Sequence, residues 1–152
     1  TIEEIKLIIK NFKKFNIIML PYNIIDRRPL KSKIFEKLNK LNIEVHTRSV
    51  FLQGLLLLKK KDMPKKFNKW SKVFNSIEMV SKKFGLSRYE ICLRYVLSNP
   101  LIDKVLIGTD NFSQLKKLIK ISKKGNIKIK NIDIKSSNDI NLLNPSKWQT
   151  LV

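Results

Sequence analysis

An extended run gives way to a glycine-containing turn in the stretch His46-Thr47-Arg48-Ser49-Val50-Phe51-Leu52-Gln53-Gly54-Leu55-Leu56-Leu57. Residues 42–45 before it begin a predicted strand, and the connection after it continues to about Phe67. This connection is longer than the ~2–6 residues that usually join a strand to the next helix. Parallel α/β folds build their ligand sites in such loops, at the carboxyl ends of the strands. The stretch therefore predicts either a ligand-binding loop or a surface excursion with a few apolar residues packed beneath it.

Strand and helix patterns alternate on both sides of this stretch. Short apolar runs, typical of strands in a parallel sheet, cover residues 16–20, 43–49 and 103–107. Apolar residues at helical spacing predict helices to about residue 14, across 34–41, from 67 to 85, from 87 to 99 and from 111 to 125. Their predicted buried faces include Phe12, Leu38, Leu41, Phe74, Phe84, Leu115, Leu118 and Ile119. This alternation predicts a parallel sheet with right-handed crossovers.

Three strands are too few to close a barrel. A (β/α)8 barrel takes about eight strands and ~250 residues, and an open doubly wound sheet usually has more than three strands. The chain of 152 residues opens on a helical pattern and has no initiator methionine. We therefore expect one α/β domain over 1–152 that forms the C-terminal part of a larger protein. Its βα units cover 1–125, and a mostly irregular tail over 126–152 packs on them.

Composition limits the classes of function. The apolar content of 43% is sufficient for a core. No run approaches the ~20 apolar residues of a membrane span and the N-terminus has no secretory layout, so we expect a cytoplasmic protein without a membrane partner. The formal charge of +20 comes mostly from lysines on the predicted polar faces of helices. Nucleic-acid binding is therefore kept only as a minor alternative.

The chain contains one cysteine, Cys92, and one histidine, His46. A single cysteine excludes an intrachain disulfide and a multi-cysteine metal site, and a single histidine excludes paired-histidine zinc chemistry. Cys92 lies in an apolar helical pattern that is typical of a buried structural thiol. His46 lies inside a predicted strand, where a structural role is favoured. We predict no metal site.

Three stretches at the ends of the predicted strands stand out. They are Leu20-Pro21-Tyr22-Asn23-Ile24-Ile25-Asp26-Arg27-Arg28, Arg48-Ser49-Val50-Phe51-Leu52-Gln53-Gly54-Leu55-Leu56 and Val105-Leu106-Ile107-Gly108-Thr109-Asp110-Asn111-Phe112-Ser113-Gln114-Leu115. Their order and spacing, with the ending Asn144-Pro145-Ser146-Lys147-Trp148, resemble the aldo/keto reductase family, particularly its members from sugar and polysaccharide biosynthesis. The resemblance implies the last three βα units of a (β/α)8 barrel, an incomplete barrel. It also implies hydride transfer from NAD or NADP to an aldehyde or ketone.

A cofactor site is a further implication of the resemblance. Residues 49–55 look like the turn that wraps the pyrophosphate, where backbone N–H groups approach phosphate oxygens. Residues 108–111 with Gln114 look like the segment at the adenosine end, where a helix N-terminus favours an anion. Arg48 stands where an aromatic ring often stacks on the nicotinamide, and Tyr22 matches a position that lines the site. The implied cofactor-binding residues are Tyr22, Arg48, Ser49, Val50, Phe51, Leu52, Gly54, Leu55, Gly108, Thr109, Asp110, Asn111 and Gln114. The alternative for both segments is an ordinary strand-to-helix turn.

Some positions depart from the family pattern. Met19 stands where a glutamine usually bonds the nicotinamide amide, and Lys117 and Leu118 stand where an adenine-binding Glu and Asn are common. Asp110 lies near the expected ribose 2′ position, where a carboxylate accepts from a hydroxyl and repels a phosphate. We therefore predict a preference for NAD(H) that does not exclude NADP(H). Alternatively, Asp110 only caps the helix that follows.

The catalytic groups of the family come from loops of its earlier strands. Its proton-donating Tyr and the neighbouring Lys, Asp and His have no counterpart in this chain, and Tyr22 and His46 are not substitutes. We predict no catalytic residue and no carbonyl reduction by this chain alone. Unpaired sheet edges predict association with another copy or with a complementary N-terminal barrel portion. Two alternatives remain open, a truncated non-enzymatic assembly module and a basic nucleic-acid-binding protein.

Overall fold

The fold is built on a three-stranded parallel sheet. The computed structural model of the chain describes residues 2–12, 15–127 and 133–151. The strands are β1 (Ile17–Pro21), β2 (Glu44–Arg48) and β3 (Lys104–Val105), in the order β1-β2-β3. In the register, Leu20 lies beside Thr47, and Thr47 lies beside Val105. The predicted parallel sheet is confirmed, and β2 is its central strand.

Seven α-helices and several 3₁₀ turns occur in the described part of the chain. The α-helices are α1 (Ile2–Asn11), α2 (Arg28–Lys31), α3 (Ile34–Lys40), α4 (Ser71–Phe84), α5 (Arg88–Leu97), α6 (Phe112–Ser122) and α7 (Ile140–Leu143). The 3₁₀ turns cover Leu55–Leu57, Lys60–Asp62, Lys65–Trp70 and Pro145–Thr150. Gly85, with φ of 61°, ends α4 because this left-handed conformation suits glycine. Ser87 and Glu90 form a capping box that begins α5.

The core lies between one face of the sheet and the helices. Leu20 and Val45 point to this face and are buried. Helices α3, α4 and α5 cover them with buried side chains that include Phe35, Ile77 and Ile91. Each side chain of this size contributes roughly 1.5–3 kcal/mol when it is fully buried. This layer sets the position of the carboxyl ends of the strands, from which the candidate site is built.

The C-terminal tail packs on the same core. Leu142 and Leu143 of α7 are buried, and Arg27 donates through Nη2 to the Ile134 carbonyl oxygen (2.9 Å). The tail is less irregular than expected, since it contains α7 and a 3₁₀ turn. Cys92 is also fully buried, and burial raises the pKa of its thiol to about 12, as expected of a structural cysteine. The division of the chain at residues 125 and 126 stays a prediction.

The opposite face of the sheet is largely open in the described part of the chain. An unbroken apolar run such as residues 16–20 predicts a strand covered on both faces. Ile17 and Met19 are 50% and 48% exposed, so this prediction is wrong for β1. The core helices cover the other face. Glu44 lies on the open face, with its carboxylate 3.2 Å from His46 Nε2 and 3.1 Å from Lys104 Nζ. The Lys104 ammonium lowers the pKa of Glu44, and His46 is held beside it in the sheet.

Some apolar positions that were expected on buried faces are exposed. They are Phe12, Leu41, Phe84, Leu115 and Ile119. Phe12 and Leu41 follow the last residues of α1 and α3, so they do not continue the sides of those helices that pack against the core. Helix α6 buries Leu118, as predicted, together with Ile121, which lies one turn further along the helix. The predicted end of the first helix, about residue 14, lies outside the described residues.

The segments next to the central strand contain less regular secondary structure than expected. Strand β3 has two residues instead of five, although the Leu106 N–H still donates to the Thr47 carbonyl oxygen (2.8 Å). The connection after β2 contains three 3₁₀ turns, and α4 begins at Ser71 instead of Phe67. Within the described ranges, no helix is both long and apolar enough to cross a membrane. The same residues contain no group of three or more His, Cys, Asp and Glu side chains placed to hold a metal ion.

Candidate functional site

The turn that leaves β2 has an unusual backbone. Ser49, Leu52, Gln53 and Gly54 have φ angles of 63°, 48°, 50° and 82°, all in the left-handed region. Glycine adopts this region freely, whereas each other residue there costs on the order of 1 kcal/mol. Such a backbone persists only where the surrounding structure holds it, and it is concentrated at functional sites.

Buried contacts hold this turn in place. Val50, Leu52 and Leu55 are buried in the core beneath it. Asn23, which is also buried, donates from Nδ2 to the Ser49 carbonyl oxygen (3.1 Å). Its Oδ1 accepts from two backbone N–H groups of its own loop (3.0 and 2.9 Å). Asn23 therefore ties the turn after β2 to the loop after β1.

The turn presents unpaired backbone donors. The N–H groups of Val50, Phe51, Gln53 and Gly54 have no acceptor within the described residues. Closely spaced N–H groups in a turn with left-handed residues form a concave surface that binds anions. This surface lies at the carboxyl end of the central strand, where parallel sheets bind ligands.

A second segment, residues 108–114, begins helix α6. The Asn111 side chain caps this helix, since its Oδ1 accepts from the Gln114 N–H (2.9 Å). Gln114 Oε1 in turn accepts from the Asp110 N–H (2.8 Å). The alternative that Asp110 is the cap is therefore wrong, because the neighbouring asparagine has that role. The Asp110 side chain is exposed.

A cleft of about 460 Å³ lies between the two segments. Its lining residues are Ser49, Val50, Phe51, Gln53, Gly54, Leu57, Leu106, Ile107, Gly108, Thr109, Asp110 and Gln114. Most of the residues predicted to bind the cofactor are among them. The structure thus brings the two predicted segments, which are far apart in sequence, to the two sides of one cleft.

Five of the predicted residues do not line this cleft. Leu52 and Leu55 are buried beneath the turn, and Asn111 is occupied as the cap of α6. Arg48 lies in the wall of a neighbouring cleft, where its Nη1 donates to Ser49 Oγ (3.2 Å). The fifth is Tyr22.

Tyr22 lies in the core. Its side chain is 1% exposed, and its hydroxyl donates to the Tyr95 hydroxyl (3.1 Å). Its ring packs edge-on against Phe35, with ring centres 5.1 Å apart. Burial, followed by Tyr95, raises the pKa of Tyr22. Residue 22 shares the covered side of β1 with Leu20, because side chains alternate along an extended chain.

Several cleft residues were missed by sequence reasoning. Gln53, Leu57, Leu106 and Ile107 line the cleft but were not named as binding residues, although Gln53 lies within the predicted turn over residues 49–55. The first two lie inside the stretch that drew attention to this turn, and the others directly precede Gly108, so proximity in sequence was an available signal. Asn23 also followed a predicted strand, although only the structure shows which carbonyl it contacts.

An aromatic pair continues one wall of the cleft. The Phe51 ring lies edge-on to the Tyr89 ring of α5, with centres 5.4 Å apart. Lys117 Nζ lies 3.9 Å from the centre of the Tyr89 ring. A cation over an aromatic face gains about 0.5–1 kcal/mol at an exposed site. The Lys117 ammonium is therefore held on Tyr89. Met19, another departure from the family pattern, lies on the open face of the sheet.

The cleft is equipped for binding more than for proton transfer. Asp110 is the one titratable side chain among its described lining residues. The remaining wall combines the unpaired N–H groups of the turn with apolar side chains such as Leu57, Leu106 and Ile107. Such a site accommodates a ligand that carries both an anionic group and an apolar or aromatic part.

Comparisons with known proteins identify the fold. The chain is similar to the holo form of the aldo-keto reductase AKR11C1 from Bacillus halodurans, with a TM-score of 0.65 and 21% identity over 82% of this chain and 42% of that chain. It is also similar to a thermostable aldo-keto reductase, Tm1743, in complex with the inhibitor epalrestat, with a TM-score of 0.56 and 20% identity over 81% and 40% of the two chains. The chain thus spans less than half the length of these structures. The three-stranded sheet and its helices are a partial (β/α)8 barrel.

Sequence comparisons add the family. A search of curated proteins finds no match. The model of the aldo/keto reductase family, by contrast, matches residues 1–138, which include both segments of the cleft. Because this match covers most of the 152 residues, and the solved structures agree with it in fold, the chain belongs to the aldo/keto reductase family.

Proposed function

We propose that this chain is the cofactor-binding part of an NAD(P)(H)-dependent aldo/keto reductase. The observation that carries the proposal is the cleft between residues 49–55 and 108–114. In this proposal the pyrophosphate lies on the turn after β2, and the adenosine end lies against the start of α6.

The residues of the cleft fit a dinucleotide. The unpaired N–H groups of Val50, Phe51, Gln53 and Gly54 supply donors for phosphate oxygens. The N-terminus of α6 adds a partial positive charge on the opposite side of the cleft. When bound, the cofactor supplies the hydride that reduces an aldehyde or ketone. The chain itself binds and orients it, with Asn23 holding Ser49 and thereby the turn.

The proposed preference is for NAD(H), without exclusion of NADP(H). The exposed Asp110 carboxylate lines the cleft and has no ion-pair partner within the described residues. The ammonium of the neighbouring Lys117 lies over the Tyr89 ring and makes no ion pair with Asp110. A carboxylate near the ribose favours a 2′-hydroxyl over a 2′-phosphate.

The substrate in the intact protein is proposed to be an aldehyde or ketone of a sugar-related class. We expect no carbonyl reduction by the 152 residues alone, because general acid catalysis contributes ~10²–10⁴-fold and the family's catalytic positions have no counterpart here. Turnover of any aldehyde by this chain with NADH or NADPH would contradict this part of the proposal. A cytoplasmic location remains part of the same proposal.

A partner is proposed for the open face of the sheet. Ile17 and Met19 are about half exposed there, and β1 and β3 are edge strands of the described sheet. Exposed edges and apolar faces favour association, either with a second copy or with a complementary N-terminal barrel portion. This surface is also what a non-enzymatic assembly module would use. No comparable observation favours nucleic-acid binding.

Gly108 provides the sharpest test of the cofactor cleft. A Cβ at this position meets no atom within 4 Å, and its φ does not lie in the left-handed region. Gly108→Ala is therefore expected to leave both the fold and the affinity for NADH nearly unchanged. Gly108→Glu places a carboxylate in the cleft, which is expected to weaken NADH binding about tenfold or more by repelling the phosphates.

The measurement is the dissociation constant of NADH for the chain and the two variants, with thermal unfolding of each as the check on folding. A Gly108→Glu chain that folds normally and binds NADH as the unaltered chain does would contradict the proposed site. So would an unaltered chain that does not bind NADH.

A further inference from the structure

A second cleft, of about 320 Å³, opens beside the cofactor cleft. Helix α1, the ends of β1 and β2, the start of α2 and the C-terminal tail form its walls. Ser49 lines both clefts. A ligand in the second cleft would therefore lie next to a dinucleotide bound on the turn after β2.

Two arginines line this second cleft, and they differ in how they are held. Arg28 donates from Nε and Nη2 to the two carboxylate oxygens of Asp26 (2.8 and 2.7 Å). Asp26 is buried, so this two-fold contact fixes the plane of the Arg28 guanidinium and offsets its charge. The Nη1 group of Arg28 has no acceptor within the described residues.

Unlike Arg28, Arg48 makes no hydrogen bond to a carboxylate within the described residues. Its Nη1 donates to Ser49 Oγ (3.2 Å), and within the described residues its Nε and Nη2 have no acceptor. The acidic residue among the described lining residues is Glu4, which is exposed as Arg48 is, so solvent screens the charges of both side chains. A guanidinium with free donors is suited to bind a carboxylate or phosphate through paired hydrogen bonds.

The rest of the wall is mostly apolar. Pro21, Pro29 and Leu143 line it together with Ile5. A cation at one side of an otherwise apolar cleft orients a small ligand, because the anionic group of the ligand is held at the cation while the rest contacts the wall. The shared Ser49 then sets the distance between that ligand and the cofactor.

We propose that the second cleft binds the carbonyl substrate, and that this substrate carries an anionic group, a carboxylate or a phosphate, held by Arg48 with Arg28 beside it. This inference rests on the proposed function, since it gives the substrate class of the same site. This role replaces the nicotinamide-stacking position that the resemblance implies for Arg48, and it makes Arg48 a specificity-determining residue for an acidic aldehyde or ketone.

Pairs of carbonyl probes, one member with an anionic group and one without, test the inference. D-glyceraldehyde 3-phosphate is compared with D-glyceraldehyde, and pyruvate with acetone, in a methyl NMR titration of the chain. The methyl groups of Ile140 and Leu143 report on the second cleft, and those of Leu57 and Leu106 report on the cofactor cleft. We expect at least one charged probe to shift the methyl signals of Ile140 and Leu143 at a concentration about tenfold lower than the neutral probe of the same pair requires.

Two arginine variants distinguish a specific contact with Arg48 from a general effect of the positive charge of the protein. Arg48→Gln is expected to remove the advantage of the charged probe. The matched Arg94→Gln, at an arginine that contacts the carbonyl oxygens of Gly125 and Asn126, is expected to keep it. The phosphate and carboxylate pairs identify which anion is bound, and a selective shift with either one supports the inference.

Equal shifts with charged and neutral probes overturn the inference, as does an advantage that survives Arg48→Gln. Shifts confined to Leu57 and Leu106 overturn it as well, since the anion then occupies the cofactor cleft. Failure of the proposed function has a separate signature, in which NADH shifts neither Leu57 nor Leu106.

Discussion

Asp110 is the residue that we propose to decide the choice between NAD(H) and NADP(H). Asp110→Ser removes a carboxylate from the cleft wall while Asn111 still caps α6. We expect the affinity for NADPH to rise relative to NADH by a few-fold, because like-charge repulsion at ~4 Å is worth about 1 kcal/mol in water and a few kcal/mol near a protein surface. Both dissociation constants are measured by titration.

The control for this substitution is Asp62→Ser, since Asp62 is exposed and does not line the cleft. It changes the net charge equally and is expected to leave the ratio of the two affinities unchanged. An unchanged ratio in Asp110→Ser would contradict the role of Asp110 in cofactor choice.

Residues whose role depends on the local chain were predictable, and those whose role depends on distant contacts were not. The glycine-containing turn after β2 was recognised from sequence because a glycine and an unusually long connection follow directly on a predicted strand. The position of Tyr22 in the core was not, since it depends on Tyr95, which is far along the chain. The link from Asn23 to Ser49 likewise required the two loops to meet.

At the level of the helix, Glu90 links the start of α5 to the end of α6. Its carboxylate accepts from the Ser87 N–H (3.0 Å) and from Lys124 Nζ (2.6 Å). These contacts, led by Lys124, lower the pKa of Glu90 from 4.5 to about 2. A carboxyl with a lowered pKa stabilises the fold above its unfolded pKa, and this stability is lost as the pH falls from about 4.5 towards 2.

Glu90→Gln is expected to reduce that pH dependence. The amide keeps the shape of the cap but loses the charge, so the loss of stability between pH 6 and pH 3 should shrink by on the order of 1 kcal/mol. Denaturant unfolding at the two pH values measures it. Glu3→Gln, at an exposed helix pair with Lys6, is the control. Identical pH dependence in Glu90→Gln and the unaltered chain would contradict the role of this contact.

Among the secondary-structure elements, the features that depend on neighbouring residues in the chain could be predicted from the sequence. The end of α4 at about residue 85 and the start of α5 at about residue 87 were predicted, since a glycine cap and a capping box each depend on residues a few positions apart. On α6, Leu118 was correctly predicted to be buried whereas Ile121 was missed, because which apolar residues are covered depends on the packing of α5. The predicted length of β3 was wrong for a similar reason, since the length of a strand depends on its pairing with the neighbouring strand.

At the scale of the whole molecule, the open face of the sheet predicts association. We expect the chain to sediment as an oligomer, or with a complementary barrel fragment, at micromolar to millimolar concentration. Met19→Lys places a charge on the open face and is expected to weaken this association. Met79→Lys is the matched control, since Met79 is an exposed methionine on α4. A monomer at high concentration, or equal effects of the two substitutions, would contradict this expectation.

The fold as a whole was predictable because alternation of strands and helices, and three strand-end stretches, are properties of the sequence. The partial barrel is confirmed by the similarity to known aldo-keto reductases over 42% of the length of AKR11C1. The open face was not foreseen as such, because an apolar run does not reveal whether one or both sides of its strand are covered.

The central claim is that one dinucleotide lies across both segments of the cleft. Backbone amide shifts of the isotope-labelled chain during an NADH titration test it most directly. We predict saturable shifts at the free N–H groups of the turn, including Val50 and Gly54, and at residues 108–114. Adenosine alone should shift 108–114 and leave the turn unchanged. The account would be contradicted if NADH left the amide signals of the turn unshifted, or if it shifted signals on the open face of the sheet around Met19.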